Sequence, residues 1–154
     1  ILKRAHGQAL MVGAGTVLSV SEVAIVAACG AELVVSPNTN PAVIAATKAS
    51  GLLSVPGFAT PSEAFAGIDA GADALKAFPT DLVSPAALRA LKEVLPANIP
   101  VIPVGGVTIE KIAEYKKAGA AGFGIGSAIY RAGSDAASVL KKAKGFVEAF
   151  HGLG

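Results

Sequence analysis

The chain has 154 residues, of which 53% are hydrophobic and 16% charged, and its net charge at neutral pH is +2. This length suits one domain with a large core, and the basic residues form no run longer than a pair, so nucleic-acid binding is not indicated. Every apolar stretch is interrupted before the roughly 20 residues of a membrane span, and the single cysteine, Cys29, excludes an intrachain disulfide and fits the reducing cytoplasm.

The chain opens on ILKRAHG, which has the composition of the last turns of a helix. Six short apolar runs then recur at intervals of about 20 to 25 residues, and each is followed by a segment with helical spacing. Most of the runs are apolar on both faces, as is typical of parallel strands buried under helices. In chain order they are ALMVGAGTV, AELVVSPN, GLLSVPGF, ADALKAFP, IPVIPVGGV and AAGFGIGS.

Residue types that start and stop helices lie between these runs. Helix N-caps are predicted at Ser19, Asn40, Thr60 and Ser84. The first and third of these have a glutamate three residues later, which is capping-box spacing, and the last three precede a proline at the first helical position. Glycines suited to the left-handed conformation at helix ends follow at Gly30, Gly51, Gly71 and Gly119.

Strands that alternate with helices predict an α/β protein with a parallel sheet, either open or closed into a barrel. Polar and glycine residues lie at the ends of the predicted strands, which favours a (β/α)8 TIM barrel, where the loops at that end form one active face. Such a barrel has eight βα units and about 250 residues, whereas this chain shows six runs. We therefore predict a single barrel domain over residues 1–154 that lacks its first two βα units.

Lys76 stands out because it lies within an apolar run. Residues two apart on a strand share a face, so Lys76 shares one with Ala74 and Phe78. If that face lines the barrel, partial desolvation lowers the pKa of the ammonium and increases the neutral amine that can attack a carbonyl. Its position alone is equally compatible with a lysine that reaches solvent from the strand end.

Two glycine-containing loops favour a chemical role for Lys76 over a role at the surface. In PVGGVT (103–108), glycines follow a strand, and in GIGSAIYRAG (124–133) Gly126 and Ser127 end the next strand and open a short helical stretch. Backbone amides in such loops can donate to phosphate oxygens. A Gly-Gly pair after a strand is also a common turn, but two adjacent instances predict the phosphate site that many barrels build after strands seven and eight.

Six motifs together resemble a known family. From about residue 9 to residue 150, the chain is similar to the bacterial 2-keto-3-deoxy-6-phosphogluconate and -galactonate aldolases. Within that family the valine of VGGV and the asparagine of SPN favour the phosphogalactonate branch. The motifs are GAGTV, SPN, PGFAT, ALKAFP, LPANIPVIPVGGV and GIGSAIYRAG.

The resemblance implies a class I aldolase without metal or other cofactor. Lys76 would form a Schiff base with the 2-keto group of the sugar acid, and cleavage between C3 and C4 would release pyruvate and D-glyceraldehyde 3-phosphate. A homotrimer is implied as well. The same resemblance assigns substrate contacts to Thr16 at the carboxylate and to Pro56, Phe78 and Val104 near the keto acid, and phosphate contacts to Gly105, Gly106, Gly126 and Ser127.

One departure from the family is expected to matter. Its members carry an arginine after the first strand and a general acid-base glutamate at the end of the second, and both would lie upstream of Ile1. Loss of a positioned carboxylate is expected to reduce turnover by about 10²- to 10⁴-fold. Glu32 lies before its strand and Glu63 at a cap, so neither is a replacement.

Three alternatives stay open on the residues alone. The first is an aldolase specific for the phosphogluconate isomer, and the second is a sugar-phosphate isomerase in which Lys76 acts electrostatically. The third is a barrel that binds a phosphorylated keto acid without cleaving it.

Overall fold

The computed structural model describes residues 2–6 and 9–152. They form an α/β chain with parallel strands, as the alternating pattern predicts. By contacts the described residues divide into two compact units. Unit 1 comprises the residues up to Lys76 together with Asn98–Pro100, and unit 2 comprises Ala77–Ala97 and the residues from Val101 onward.

Unit 1 is built around three aligned parallel strands. Strands β1, β2 and β3 are neighbours in that order, and the last residues of the three, Gly15, Val35 and Val55, are in register. Val23 and Val34 belong to its buried apolar cluster. The elements are α1 (Leu2–His6), β1 (Gly13–Gly15), α2 (Val20–Ala28), β2 (Leu33–Val35), α3 (Pro41–Ala49), β3 (Leu53–Val55), β4 (Gly57–Phe58) and α4 (Pro61–Asp69), followed by β5 (Leu75–Ala77), whose last residue belongs to unit 2.

The third apolar run, GLLSVPGF, was predicted as one strand, but the structure contains two. It forms β3 and β4 on either side of Pro56. Proline has no N–H to donate to a neighbouring strand, so regular pairing stops at that residue.

Unit 2 contains α5 (Pro85–Lys92), β6 (Val101–Pro103), α6 (Ile109–Lys117) and α7 (Ala136–His151). The sixth run was wrongly predicted as a strand, because residues 120–127 make only one parallel bridge, Val104 with Gly124. The short helical stretch predicted from Gly126 is likewise wrong, since residues 127–129 form a turn. Glycines at every second position of this run weaken strand formation.

The helix boundaries confirm the local predictions. Ser19 accepts from the Glu22 amide at 3.3 Å, and the Glu63 carboxylate accepts from the Thr60 amide at 2.9 Å, so both predicted capping boxes form. The helices α3, α4 and α5 each begin at the predicted proline. The four glycines predicted at helix ends have φ between +72° and +98°.

Two further observations concern the surface. The sequence alone predicts a small buried residue at Cys29, late in an apolar helix, but this prediction is wrong, because Cys29 is exposed at the C-cap of α2. Among the described helices, none has both the length and the apolar character needed to cross a bilayer.

Candidate active site

Two predicted site residues of unit 1, Thr16 and Pro56, lie where its parallel strands end. They directly follow the last residues of β1 and β3, as Ser36 follows the last residue of β2. Because the carboxyl ends of parallel strands meet at one edge of a sheet, the three residues lie along the same edge. This edge corresponds to the active face of α/β proteins.

Thr16 has an unusual backbone conformation. Its φ of +60° lies in the left-handed region, which a β-branched residue rarely adopts. The next residue is held from two sides, because the Ser36 hydroxyl donates to the Val17 carbonyl at 2.7 Å and the Val17 amide donates to the Val35 carbonyl at 3.4 Å. Strain of this kind costs about 1–3 kcal/mol and occurs preferentially at functional sites, so the geometry supports the substrate-binding role predicted for Thr16.

Lys76 is in the middle of β5. Its amide donates to the Pro56 carbonyl at 2.8 Å, and only 9% of the residue is exposed. Burial lowers the pKa of the Lys76 ammonium because desolvation disfavours the charged form. The predicted desolvation is therefore confirmed, and a solvent-reaching lysine is not what the structure contains.

In unit 2, an aromatic ring lies against the first glycine loop. A Cβ added to Gly105 would lie 2.9 Å from the ring of Phe78, so the ring requires glycine there. Gly105 and Gly106 also have φ of +83° and +74°, which side chains disfavour. The hydroxyl and the amide of Thr80 both donate to the Gly105 carbonyl, so the loop is fixed from the opposite side.

The second glycine loop is placed by the single bridge to Val104. Gly124 pairs with Val104 in parallel, so Gly126 follows the bridge by two residues, as Gly106 does on its own strand. Gly106, Gly126 and Ser127 are exposed, and their backbone N–H groups donate to no other described residue. These amides are available to an anion. Arg131 instead donates from Nε to the Ser127 carbonyl at 3.4 Å.

The two glutamates set aside on sequence grounds have structural roles. Glu32 accepts from the Val12 amide at 3.0 Å and pairs with Lys3 at 2.5 Å, and Glu63 closes the capping box of α4. Within residues 2–6 and 9–152, no group of three or more His, Cys, Asp or Glu side chains is placed to hold a metal ion.

Sequence reasoning did not single out Thr80 or Tyr115, although both position the first glycine loop. Tyr115 is buried, and its hydroxyl lies 2.9 Å from the Val83 carbonyl and 3.2 Å from the Thr80 carbonyl. These contacts join residues more than 30 positions apart, so no local pattern indicates them.

The parallel α/β architecture, the buried strand lysine of lowered pKa and the two glycine loops are compatible with a lyase of the lysine-dependent class. The chain belongs to the family of KDPG and KHG aldolases, whose sequence model matches residues 1–142.

Similar proteins point the same way. The chain is 44% identical over 146 residues to 2-dehydro-3-deoxy-6-phosphogalactonate aldolase of Escherichia coli K12, a match that covers 95% of this chain and 71% of the relative. It is 41% identical to a probable enzyme of the same name from Rhizobium meliloti strain 1021, over 86% of this chain and 63% of that one. A solved structure of native KDPGal superposes with a TM-score of 0.96 at 42% identity, over 99% of this chain and 74% of the other.

Proposed function

We propose that this protein is a class I aldolase that cleaves 2-dehydro-3-deoxy-6-phosphogalactonate to pyruvate and D-glyceraldehyde 3-phosphate. The observation that carries the proposal is Lys76, a buried amine of lowered pKa in the middle of β5, in a chain from an aldolase family. The names of the two relatives supply the substrate.

In the proposed reaction, the neutral amine of Lys76 attacks C2 of the keto acid, and loss of water gives an iminium. The C4 hydroxyl gives its proton to water while the C3–C4 bond breaks, and the electrons of that bond move into the iminium to form an enamine. The aldehyde leaves, the enamine takes a proton from water at C3, and hydrolysis releases pyruvate and the free amine. Burial assists the first step because it increases the neutral amine at a given pH.

The other predicted residues bind substrate in this proposal. Thr16 receives the carboxylate, while Pro56, Phe78 and Val104 shape the space around the keto acid. The amides of the two glycine loops, at Gly105, Gly106, Gly126 and Ser127, donate to the phosphate. The support comes from their positions after parallel strands and from the exposed N–H groups of the loops.

Reductive trapping tests the proposal. Pyruvate with borohydride is expected to add a pyruvyl group to the peptide that contains Lys76, because borohydride reduces the iminium to a stable amine. Lys76→Met should abolish the label, whereas Lys141→Met, which changes an exposed lysine of α7, should retain it. A label absent from Lys76 in the wild type would rule out the Schiff base and favour a non-catalytic binder or an isomerase.

The stereochemistry of the substrate follows from the same comparison. Val104 and Asn38 are the residues whose resemblance favours the phosphogalactonate branch, and both named relatives belong to it. We expect faster cleavage of the galactonate isomer than of the gluconate isomer in a coupled assay of pyruvate release. Equal or reversed rates would assign the chain to the phosphogluconate aldolases.

The architecture and assembly are also proposed here. The parallel strands are assigned to a (β/α)8 barrel that forms a cytoplasmic homotrimer. Support for a shared surface comes from α2, an apolar helix in which Val23 is buried while Val20 and Ile25 are 51% and 64% exposed. Light scattering coupled to size exclusion tests the trimer, and Ile25→Glu should shift the mass toward the monomer if α2 is at the interface.

A further inference from the structure

Thr80 controls the direction of one amide in the first glycine loop. Its hydroxyl and its backbone N–H both donate to the carbonyl of Gly105, the N–H over 3.2 Å. In a trans peptide the carbonyl and the following N–H point in opposite directions. With the Gly105 carbonyl fixed toward Thr80, the N–H of Gly106 is directed away from it.

That N–H is suited to a ligand. Gly106 is exposed, and its amide donates to no other residue in the part of the chain that the structure describes. Its φ of +74° disfavours a side chain, and a Cβ added there would lie 3.0 Å from Thr80 Oγ1. The Gly105–Gly106 peptide has few internal restraints because glycine is flexible, so external hydrogen bonds are needed to hold its direction.

Thr80 is itself fixed by α6. Tyr115 is 1% exposed, and its hydroxyl is shared between the carbonyls of Val83 and Thr80, at 2.9 and 3.2 Å. Thr80 is 4% exposed and Val83 is 1% exposed, so the segment between them is packed as well as hydrogen-bonded. The contacts therefore run from α6 through residues 80–83 to the glycine loop.

We propose that Thr80 is a positioning residue for phosphate binding, with Tyr115 as its support: together they preset the Gly106 amide to donate to a phosphate oxygen. This inference rests on the proposed function, which places the phosphate at this loop. Preorganised donors bind an anion more tightly because the loop does not have to be ordered when the ligand arrives.

The test uses inorganic phosphate as the probe and the backbone amide signals of the full chain in ¹H–¹⁵N spectra. In the wild type, the Gly106 signal should move on titration. Thr80→Val keeps the shape of the side chain and removes the hydroxyl, and it should weaken phosphate binding about fivefold to tenfold. Thr80→Ser keeps the hydroxyl and should restore near-wild-type binding, a rescue that a purely packing role would not give.

Tyr115→Phe is a second probe in case Thr80→Val does not fold, since it removes one oxygen and keeps the ring. It should also weaken phosphate binding, and by less than Thr80→Val, because the direct contact with Gly105 is retained. Unchanged phosphate affinity in folded Thr80→Val, or an unmoved Gly106 signal in the wild type, would overturn the inference. Pyruvate trapping at wild-type Lys76 reports separately on the aldolase proposal, since pyruvate carries no phosphate.

Discussion

The amide of Lys76 donates to the carbonyl of Pro56 over 2.8 Å. Pro56 interrupts its own strand, yet its carbonyl still takes part in pairing with β5. The backbone of Lys76 is therefore held by the same residue that is predicted to border the keto acid. A side chain on a paired strand has a better defined position than one on a loop, which suits a nucleophile.

The pH dependence of trapping should reveal the desolvation of Lys76. Because burial lowers the pKa of its ammonium, the neutral amine is abundant at lower pH than in an ordinary lysine, whose pKa is about 10.4. We expect the initial rate of pyruvate trapping, followed by mass spectrometry, to rise with pH and level off below that value. A free lysine derivative under the same conditions is the control, and a coincident midpoint would contradict the prediction.

Replacement of the same amine should stabilise the fold. The charged form of Lys76 is costly to bury, so Lys76→Met is expected to raise the free energy of unfolding at pH 7 by about 1 kcal/mol. The unfolded chain binds this proton more tightly, so wild-type stability should rise with pH between the lowered pKa and the ordinary value. Urea unfolding at several pH values should therefore show that the difference in free energy of unfolding between Lys76→Met and the wild type decreases as pH increases. A difference that does not change with pH would argue against burial of the charge.

The two glycine loops should respond differently to alanine. Gly105→Ala places a Cβ 2.9 Å from the Phe78 ring at positive φ, so it should cost about 1–3 kcal/mol of stability. Gly126→Ala is the matched control, because no atom lies within 4 Å of its added Cβ and its φ is not positive. The denaturant midpoint of Gly105→Ala should be lower than that of Gly126→Ala. Equal midpoints would show that the Phe78 ring moves aside at little cost.

Relief of the strain at Thr16 should separate stability from binding. Thr16→Gly removes a side chain at φ +60°, so stability should be unchanged or improved by up to about 1 kcal/mol, while pyruvate trapping becomes slower. Thr108→Gly is the control at another exposed threonine, whose φ is −118°, and it should lose a few tenths of a kcal/mol. A large destabilisation of Thr16→Gly would mean that the hydroxyl, and not strain, dominates there.

The capping box of α4 should contribute to the stability of the fold in a pH-dependent way. Hydrogen bonds from the Ala59 amide and from Thr60 lower the pKa of Glu63, so its carboxylate contributes stability above the ordinary value of about 4.3. That contribution is lost as pH falls through the lowered pKa. Glu63→Ala should cost about 1 kcal/mol at pH 7, and the difference from wild type should shrink in acid. Thermal unfolding at pH 7 and pH 3 measures the stability difference between the wild type and Glu63→Ala. A difference that persists at pH 3 would mean that the Glu63 side chain stabilises the fold by packing and not by its charge.

Local chemistry accounts for what could be predicted from the sequence. Capping boxes, prolines at first helical positions and end glycines act within four residues, so Ser19, Thr60 and Gly71 could be assigned their roles without a structure. Lys76 stands out because a charge in an apolar run is conspicuous, and the structure shows that this residue is buried.

What could not be predicted depends on distant contacts or on competing backbone effects. Thr80 meets Gly105 across 25 positions, and the residue after Thr16 accepts a hydrogen bond from Ser36, 19 positions along the chain from it. The sixth run, which leads into the second glycine loop, has the hydrophobic pattern of a strand, but with glycine at every second position it forms only one bridge, at Gly124. A hydrophobic pattern alone does not predict this, because it does not show that the glycines lack side chains to pack in a sheet.

That bridge makes Val104 dependent on a residue that has no side chain. A Cβ at position 124 would lie 2.5 Å from Cγ2 of Val104, so any larger residue would push the valine out of place. If Val104 helps to select between the two sugar stereoisomers, then that selectivity depends on Gly124, which leaves the space that the Val104 side chain occupies. Evolution of a new preference at this site would have to proceed through residue 104 while its neighbour stays the smallest amino acid.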